Sequence, residues 1–459
     1  MSSEVKLVKT QPEDPTSVAN LAATGLRYSL VDTDDAAAFG AWAQADMRGF
    51  LEPRASVDGE RWFREGVANR RTIGVYDDSL TVDADAPVAT ISSWVAELTI
   101  PGSSTEHPRT LPSWAVSSVT VAPTHRRRGI ARNLLEGELR TAAALGIPMA
   151  MLTVSESAIY GRFGFAPAAM AADWTIDTRR AKWIGPETLG TGRVEFVSIE
   201  RWRAEAAALH ERTRLESPGE IPIWELRWDQ IAGLKHSDEA RSKAVRAVHF
   251  TDLAGETRGA LLYRMTGGDI EFAQHTVSVE YLVTETPDAA AGLWRFLLEL
   301  DLTTEVKAGL RRADEPVRWQ IADFRAAKVD TVEHQYLRVL DMAAAFEARS
   351  YLAAGELVFS VTDSLGFAEG LWHLVVEPVG STLRASVTRL DAIDAIDAIP
   401  DATPALAMTA NELAAIYLGG VPITTLLDAG RVTELSSGSA AVADALLRTA
   451  RAPWLSFWY

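Results

Sequence analysis

The chain has 459 residues, which at about 150 residues per domain argues for three domains rather than one small module. Its 47% hydrophobic and 23% charged residues lie in the ordinary globular range and exclude disorder, collagen and coiled coil. The 45 Lys and Arg against 62 Asp and Glu leave a formal net charge of -17, which disfavours nucleic acid and favours cationic ligands such as polyamines, basic peptides or amino sugars.

There is no cysteine, so disulfides, cysteine zinc sites and a thiol nucleophile drop out together. The eight histidines are scattered without paired ligand spacing, and no metal site is expected. Residues 1–20 are polar and lack the apolar core of a signal peptide. The longest apolar stretch, 141–154, falls short of the roughly 18 residues a membrane span needs and is broken by Gly146 and Pro148. Cytoplasmic residence, with no membrane partner, is the expectation.

In chain order, a polar arm over 1–23 precedes a strand at 26–30 and helices at 35–50 and 59–67. Strands at 72–76, 87–100 and 115–121 follow, separated by Asp, Gly and Pro clusters. A helix from about 130 and a strand at 148–154 complete a first αβ domain, 24–182, closed by a charged, glycine-containing linker over 179–192. A second αβ domain, 183–331, has a helix at 198–212, strands at 245–252, 259–266 and 278–284, and a helix at 289–300. No glycine-rich phosphate loop follows its main strand, which favours a binding or scaffolding role over chemistry. The third domain, 332–459, reads as α+β, with strands at 336–340, 356–362 and 371–378 and helices at 343–349, 410–417 and 440–449. The three-residue repeat over 391–399 reads as a solvated insertion and is assigned no function.

Three segments carry chemistry. A β-branched strand ending Val119-Thr120-Val121 runs through Pro123-Thr124-His125 into Arg126-x-x-Gly129-x-Ala131 and a helix. Gly129 and Ala131 let a ligand lie against the backbone, the free amides at a helix start make an anion pocket, and Arg126, Arg127 and Arg128 supply positive charge. A solvated basic turn is the plain alternative for these residues alone. Next, Tyr160 stands in Ile159-Tyr160-Gly161-Arg162-Phe163-Gly164, where it is either a proton donor to a departing thiolate or a core tyrosine packed beside Phe163 and Phe165. Finally, Trp454, Phe457, Trp458 and Tyr459 crowd the last six residues, which suits a buried end whose carboxylate becomes a usable proton acceptor, or a hydrophobic tail that staples the third domain or an interface.

Together, the Val-Ala-Pro-Thr-His-Arg-Arg-Arg-Gly loop, Tyr160 in its Gly-Arg-Phe-Gly context, Tyr417-Leu418-Gly419-Gly420 and the aromatic end resemble the enhanced intracellular survival (Eis) family of GNAT acetyltransferases over nearly the whole chain. The resemblance implies a catalytic GNAT domain, a second GNAT-like domain without its own cofactor site, a sterol-carrier-like third domain, and a homohexamer. It implies acetyl-coenzyme A as cosubstrate. Val119, Thr120 and Val121 would offer backbone to the pantetheine, Arg127, Arg128, Gly129, Ile130, Ala131 and Arg132 would hold the pyrophosphate, and Ser155 and Glu156 would border the coenzyme. Tyr160 would be the general acid and the Tyr459 carboxylate the general base in direct transfer to an amine of a cationic substrate such as an aminoglycoside. Protein lysine acetylation and lipid binding with a vestigial acetyltransferase motif are the alternatives. Asp46, Glu52, Trp42, Phe50 and Trp62 are plausible pocket residues, with core packing the commoner role for each aromatic.

Overall fold

Asp14-Pro15 opens a helix, α1 (Pro15–Ala22): the Asp14 carboxylate accepts the Ser17 amide and Pro15 occupies its first turn. The computed structural model describes residues 8–81, 85–102, 110–187, 190–235, 239–268, 273–390 and 403–459. Where a polar arm is expected over 1–23, its described part is thus a docked helix. Leu21 is buried, Arg140 pairs with Asp14 at 2.7 Å, and the fully buried Arg71 donates to the Pro12 carbonyl. The 391–399 repeat lies outside the described residues, as do residues 82–84.

The chain forms two compact units: residues 1–168 with 335–453 and 458–459, and residues 169–334 with 454–457. These divisions differ from the expected 182/183 and 331/332. In the first unit, β1 (Arg27–Leu30), β2 (Arg71–Tyr76), β3 (Ala89–Thr99) and β4 (Thr110–Val121) pair antiparallel in sequence order. Helices α2 (Ala36–Gly49) and α3 (Val57–Val67) link β1 to β2, each started by a side-chain cap, Asp35 and Ser56. Helix α4 (Ile130–Ala144) crosses from β4 to β5 (Met149–Thr153), which is parallel to β4, and the short α5 (Ser157–Tyr160) follows. Residues 335–339 add an antiparallel neighbour to β5, which is why the chain rejoins this unit at Gln335 rather than at 332. Inside, Arg71 pairs with Glu138 at 3.0 Å, both side chains fully sequestered.

The remainder of this unit is a sheet of five strands ordered Thr382–Leu390, Gly370–Val379, Gly355–Thr362, Ala405–Thr409 and Thr433–Glu434. Helices Met342–Ala348, Ala410–Ile416 and Ser439–Leu447 accompany it, the second opened by a reciprocal capping box of Thr409 and Glu412. Two residues from this half grip the loop after Tyr160. Asn411 donates to the Gly161 and Phe165 carbonyls at 2.8 Å, and Arg338 Nε donates to the Phe163 carbonyl at 2.8 Å. The Arg338 guanidinium also meets both Asp363 oxygens, at 2.7 and 2.6 Å, with both side chains almost wholly buried.

The second unit repeats the plan. Strands Val245–Asp252, Thr257–Gly267 and His275–Thr284 pair antiparallel, and the last pairs parallel with Thr303–Arg311 across helix Pro287–Leu298. The start of that helix is already occupied. Thr286 accepts the Ala289 amide, Pro287 removes one donor, and Asp288 puts negative charge in the first turn. Among the described residues no helix of either unit is long and apolar enough to cross a membrane.

Removing one partner of a buried ion pair leaves the other charge uncompensated. Arg338→Ala should therefore lower unfolding free energy by about 3–5 kcal/mol, read from the urea midpoint at constant m-value.

Candidate active site

Strands β4 and β5 hydrogen-bond for only three pairs, Ser113 to Met149, Trp114 to Ala150 and Ala115 to Met151. Beyond Ala115 the two diverge. A bulge in β4 lies in the divergent part: between the pairs Thr90–Thr120 and Ser92–Ser117, β4 holds one residue more than β3, and Ser118 takes φ +57°. The Thr90 hydroxyl donates to the Ser118 carbonyl at 2.8 Å and lies 2.6 Å from that of Thr120. With its buried side chain so engaged, Thr120 offers backbone, as do the half-buried Val119 and Val121.

The wedge is flanked by the start of α4. Gly129, at φ +75°, is the N-cap and has no side chain to satisfy the helix amides. The first intrahelical bond runs from Asn133 N to the Gly129 carbonyl at 3.1 Å, so the amides of Ile130, Ala131 and Arg132 precede it. Amides left uncapped in this way can receive an anion, unlike those of the capped, acidic helix start of the second unit. Arg126, Arg127 and Arg132 are exposed around it, Arg127 in the left-handed region at φ +66°. Arg128 is differently employed: it donates to Asp77 at 3.2 Å and to the Thr24 carbonyl at 2.8 Å. Asp77 also contacts His125 at 3.1 Å and accepts from Ser79, and these hydrogen bonds, Ser79's first, hold its carboxyl well below the usual carboxylate range.

On the other side of the wedge, Ser155 and Glu156 are exposed just after β5, and Tyr160 is buried on α5. The Tyr160 ring meets Phe165 edge-on at 6.3 Å, so the core and site readings both describe it. Burial, with a smaller push from the Glu156 charge, raises its phenol to about 12, and it is protonated at neutral pH. The main-chain oxygen of Tyr459 accepts from the hydroxyl of Thr153, the last residue of β5, at 2.9 Å. The Tyr459 ring packs edge-on against Trp94 of β3 at 5.5 Å, and Arg70 stacks on Trp94 at 3.6 Å.

Several site residues were not legible as such. Gly49 ends α2 against β4, where a β-carbon would collide with the Thr120 side chain. Thr153, Trp94 and Arg70 gave no signal, because only the fold brings them to Tyr459. Of the possible pocket residues, Trp42 is core: it is fully buried against Phe39 and Phe63 and donates to the Ile73 carbonyl. Asp46, on the last turn of α2, is 7% exposed. Burial pushes its carboxyl up to about 7, the Ser118 hydroxyl pulling the other way and the Glu52 charge adding to the rise.

Residues 33–168 match the acetyltransferase (GNAT) domain family, residues 223–349 match a second acetyltransferase (GNAT) domain family, and residues 342–456 match the sterol carrier protein domain family. An uncharacterized N-acetyltransferase of Streptomyces avermitilis is 34% identical over 421 residues, covering 90% of this chain and 94% of its own. N-acetyltransferase Eis of Mycobacterium tuberculosis is 31% identical over 348 residues, covering 74% and 78%. The crystal structure of Eis1 from Mycobacterium abscessus matches with a TM-score of 0.73 at 25% identity, covering 95% of this chain and 100% of that one. Fold and wedge thus define a GNAT-type N-acetyltransferase that uses an acyl-coenzyme A cosubstrate. The chain belongs to the Eis family of N-acetyltransferases, with two GNAT domains followed by a sterol-carrier-like domain.

Arg127→Ala should weaken coenzyme binding in calorimetry with little change in melting temperature, whereas Arg128→Ala should lower the melting temperature through loss of its Asp77 and Thr24 bonds. Because the folded Asp46 carboxyl keeps a proton that the unfolded chain releases, its contribution to stability falls as pH rises from about 4 to about 7 and then levels off. Asp46→Asn should flatten that part of the pH–stability curve and leave the protein more stable at pH 8, by up to the order of 4 kcal/mol.

Proposed function

We propose that the enzyme moves the acetyl group of acetyl-coenzyme A onto amines of polycationic acceptors such as aminoglycosides. The observation that carries the reading is the convergence, around the β4–β5 wedge, of an uncapped helix start, a protonated buried phenol and the main-chain oxygen of Tyr459. The backbone of Val119, Thr120 and Val121 receives the pantetheine, and the amides from Gly129 to Arg132 with Arg127 and Arg132 receive the pyrophosphate. Ser155 and Glu156 border the coenzyme. Arg128 contributes through loop shape, since its guanidinium is held by Asp77 and Thr24.

In this reading the Tyr459 carboxylate takes a proton from the acceptor ammonium, and the freed amine nitrogen attacks the thioester carbonyl. The carbon–sulfur bond then breaks, Tyr160 protonates the departing thiolate, and the second proton shed by the acylated nitrogen restores the Tyr160 phenol, so that the net proton released is the one taken up by Tyr459. A phenol near 12 is a weaker acid than a thiol near 8.5, so it is not itself ionised at pH 7, and its donation is driven by thiolate charge developing in a desolvated site. No residue is acylated, in keeping with the lack of cysteine. The acidic surface, at a formal net charge of -17, concentrates polycations near the enzyme.

Thiol release from acetyl-coenzyme A, measured with and without an aminoglycoside, is the direct test. Amine-dependent release is expected; coenzyme binding without any release would remove this acceptor class. Tyr160→Phe should lower kcat by about 100- to 10,000-fold, the usual worth of a general acid, while coenzyme affinity holds. Residues appended after Tyr459 should abolish turnover and spare coenzyme binding, and normal activity in that variant would refute the carboxylate's role.

A further inference from the structure

The second unit, whose helix start is capped and acidic, nonetheless holds the segment that leads to Tyr459: residues 454–457 fold with it, and 458–459 with the first unit. The Trp454 amide donates to the Pro218 carbonyl at 2.8 Å and its indole nitrogen to the Leu310 carbonyl at 2.9 Å, with Arg311 5.2 Å from the ring centre. The buried Phe457 ring meets His210 and Trp224 edge-on, at 6.4 and 6.1 Å. His334 closes this clasp. It is fully buried, and its Nε2 lies 3.0 Å from the Phe457 carbonyl. A carbonyl only accepts, so Nε2 carries a proton and donates it. Burial, opposed by this hydrogen bond and by the Asp173 charge, pulls the imidazole down to about 4, and the ring is neutral at pH 7. With its donor spent on main chain, His334 holds backbone rather than moving protons.

His334 stands in the strand Ala327–Val339, one residue before Gln335, whose register partner is Thr153. The Thr153 hydroxyl donates in turn to the main-chain oxygen of Tyr459. The tail is thus gripped at alternate residues, Phe457 by His334 and Tyr459 by Thr153. Two residues of chain reach at most about 7 Å, so a fixed Phe457 confines Tyr459. We propose that His334 is a positioning residue, which by holding the Phe457 carbonyl sets where the Tyr459 carboxylate stands when it takes the acceptor's proton. The proposal rests on the reading of that carboxylate as the general base. It gives the second unit a part in the reaction, as the anchor of the segment that carries the base.

His334→Leu removes the donor, and His334→Gln offers a side-chain amide in its place. With an aminoglycoside as acceptor, His334→Leu should lower kcat at pH 7 about 10- to 100-fold, as a displacement of about 1 Å does, with coenzyme Kd unchanged. The loss should shrink between about pH 7 and pH 9, where more of the amine arrives without the proton a base must remove, and His334→Gln should recover part of it. Trp454→Phe breaks a different bond of the same clasp and keeps an aromatic ring. It should show the same pH-dependent loss, and it keeps the test open should His334→Leu not fold. Wild-type kcat in these variants, or a loss equal at every pH that His334→Gln does not relieve, would overturn the assignment and leave the base in place. Normal turnover by a chain extended beyond Tyr459, or a wild type that binds coenzyme but acetylates no amine, would instead overturn the underlying reading and this assignment with it.

Discussion

The structure turns on two neighbouring parallel strands that stop pairing. After Ala115 and Met151 the ladder between β4 and β5 ends, and the backbone groups beyond it lack the partners a continuous sheet would supply. The bulge at Ser118 drives β4 away from β5, and the Thr90 hydroxyl, bonded to the Ser118 carbonyl, fixes that departure. Gly49 lets α2 close over the bend. Everything the site needs then follows from chain continuity: β4 delivers the Arg126–Gly129 loop to the start of α4, and β5 delivers Thr153 and the Tyr160 helix to the opposite flank.

A wedge held open needs its rims fixed, and the C-terminal half of the first unit does this for the Tyr160 side. Arg338 and Asn411 bond to three carbonyls of the loop after Tyr160, and Arg338 is itself held by buried Asp363. Such a buried pair is an uncertain source of net stability, but it allows few alternative geometries for the loop. The sterol-carrier-like domain therefore does more than follow the catalytic domain in sequence. The second unit shows the contrast, with the same strand–helix–strand order but a helix start filled by Thr286, Pro287 and Asp288, which leaves no cradle for an anion.

Much of this was legible in the sequence because it is local. The Gly129 turn, the helix after it and the Tyr160 motif lie within a few residues of one another, and their types state their backbone needs. The helix of the N-terminal segment was also written locally, in Asp14-Pro15, yet its docking depends on Arg140 and Arg71, remote in sequence, and so it read as an arm. The role of Arg128 was hidden for the same reason: three consecutive arginines look alike until Asp77 and the Thr24 carbonyl claim one of them. Thr153, Trp94 and Arg70 carry no motif and join the candidate site only because Tyr459 packs against Thr153 and Trp94, with Arg70 stacked on Trp94.

In the proposed reaction amine and thioester meet in one complex, with protons moving through Tyr160 and Tyr459 and no acyl group resting on the protein. Initial velocities measured while both acetyl-coenzyme A and the aminoglycoside are varied distinguish this from transfer through an acyl-enzyme. Direct transfer gives intersecting double-reciprocal lines, the signature of a ternary complex. Parallel lines, together with an acetylated protein trapped when the amine is withheld, would contradict it.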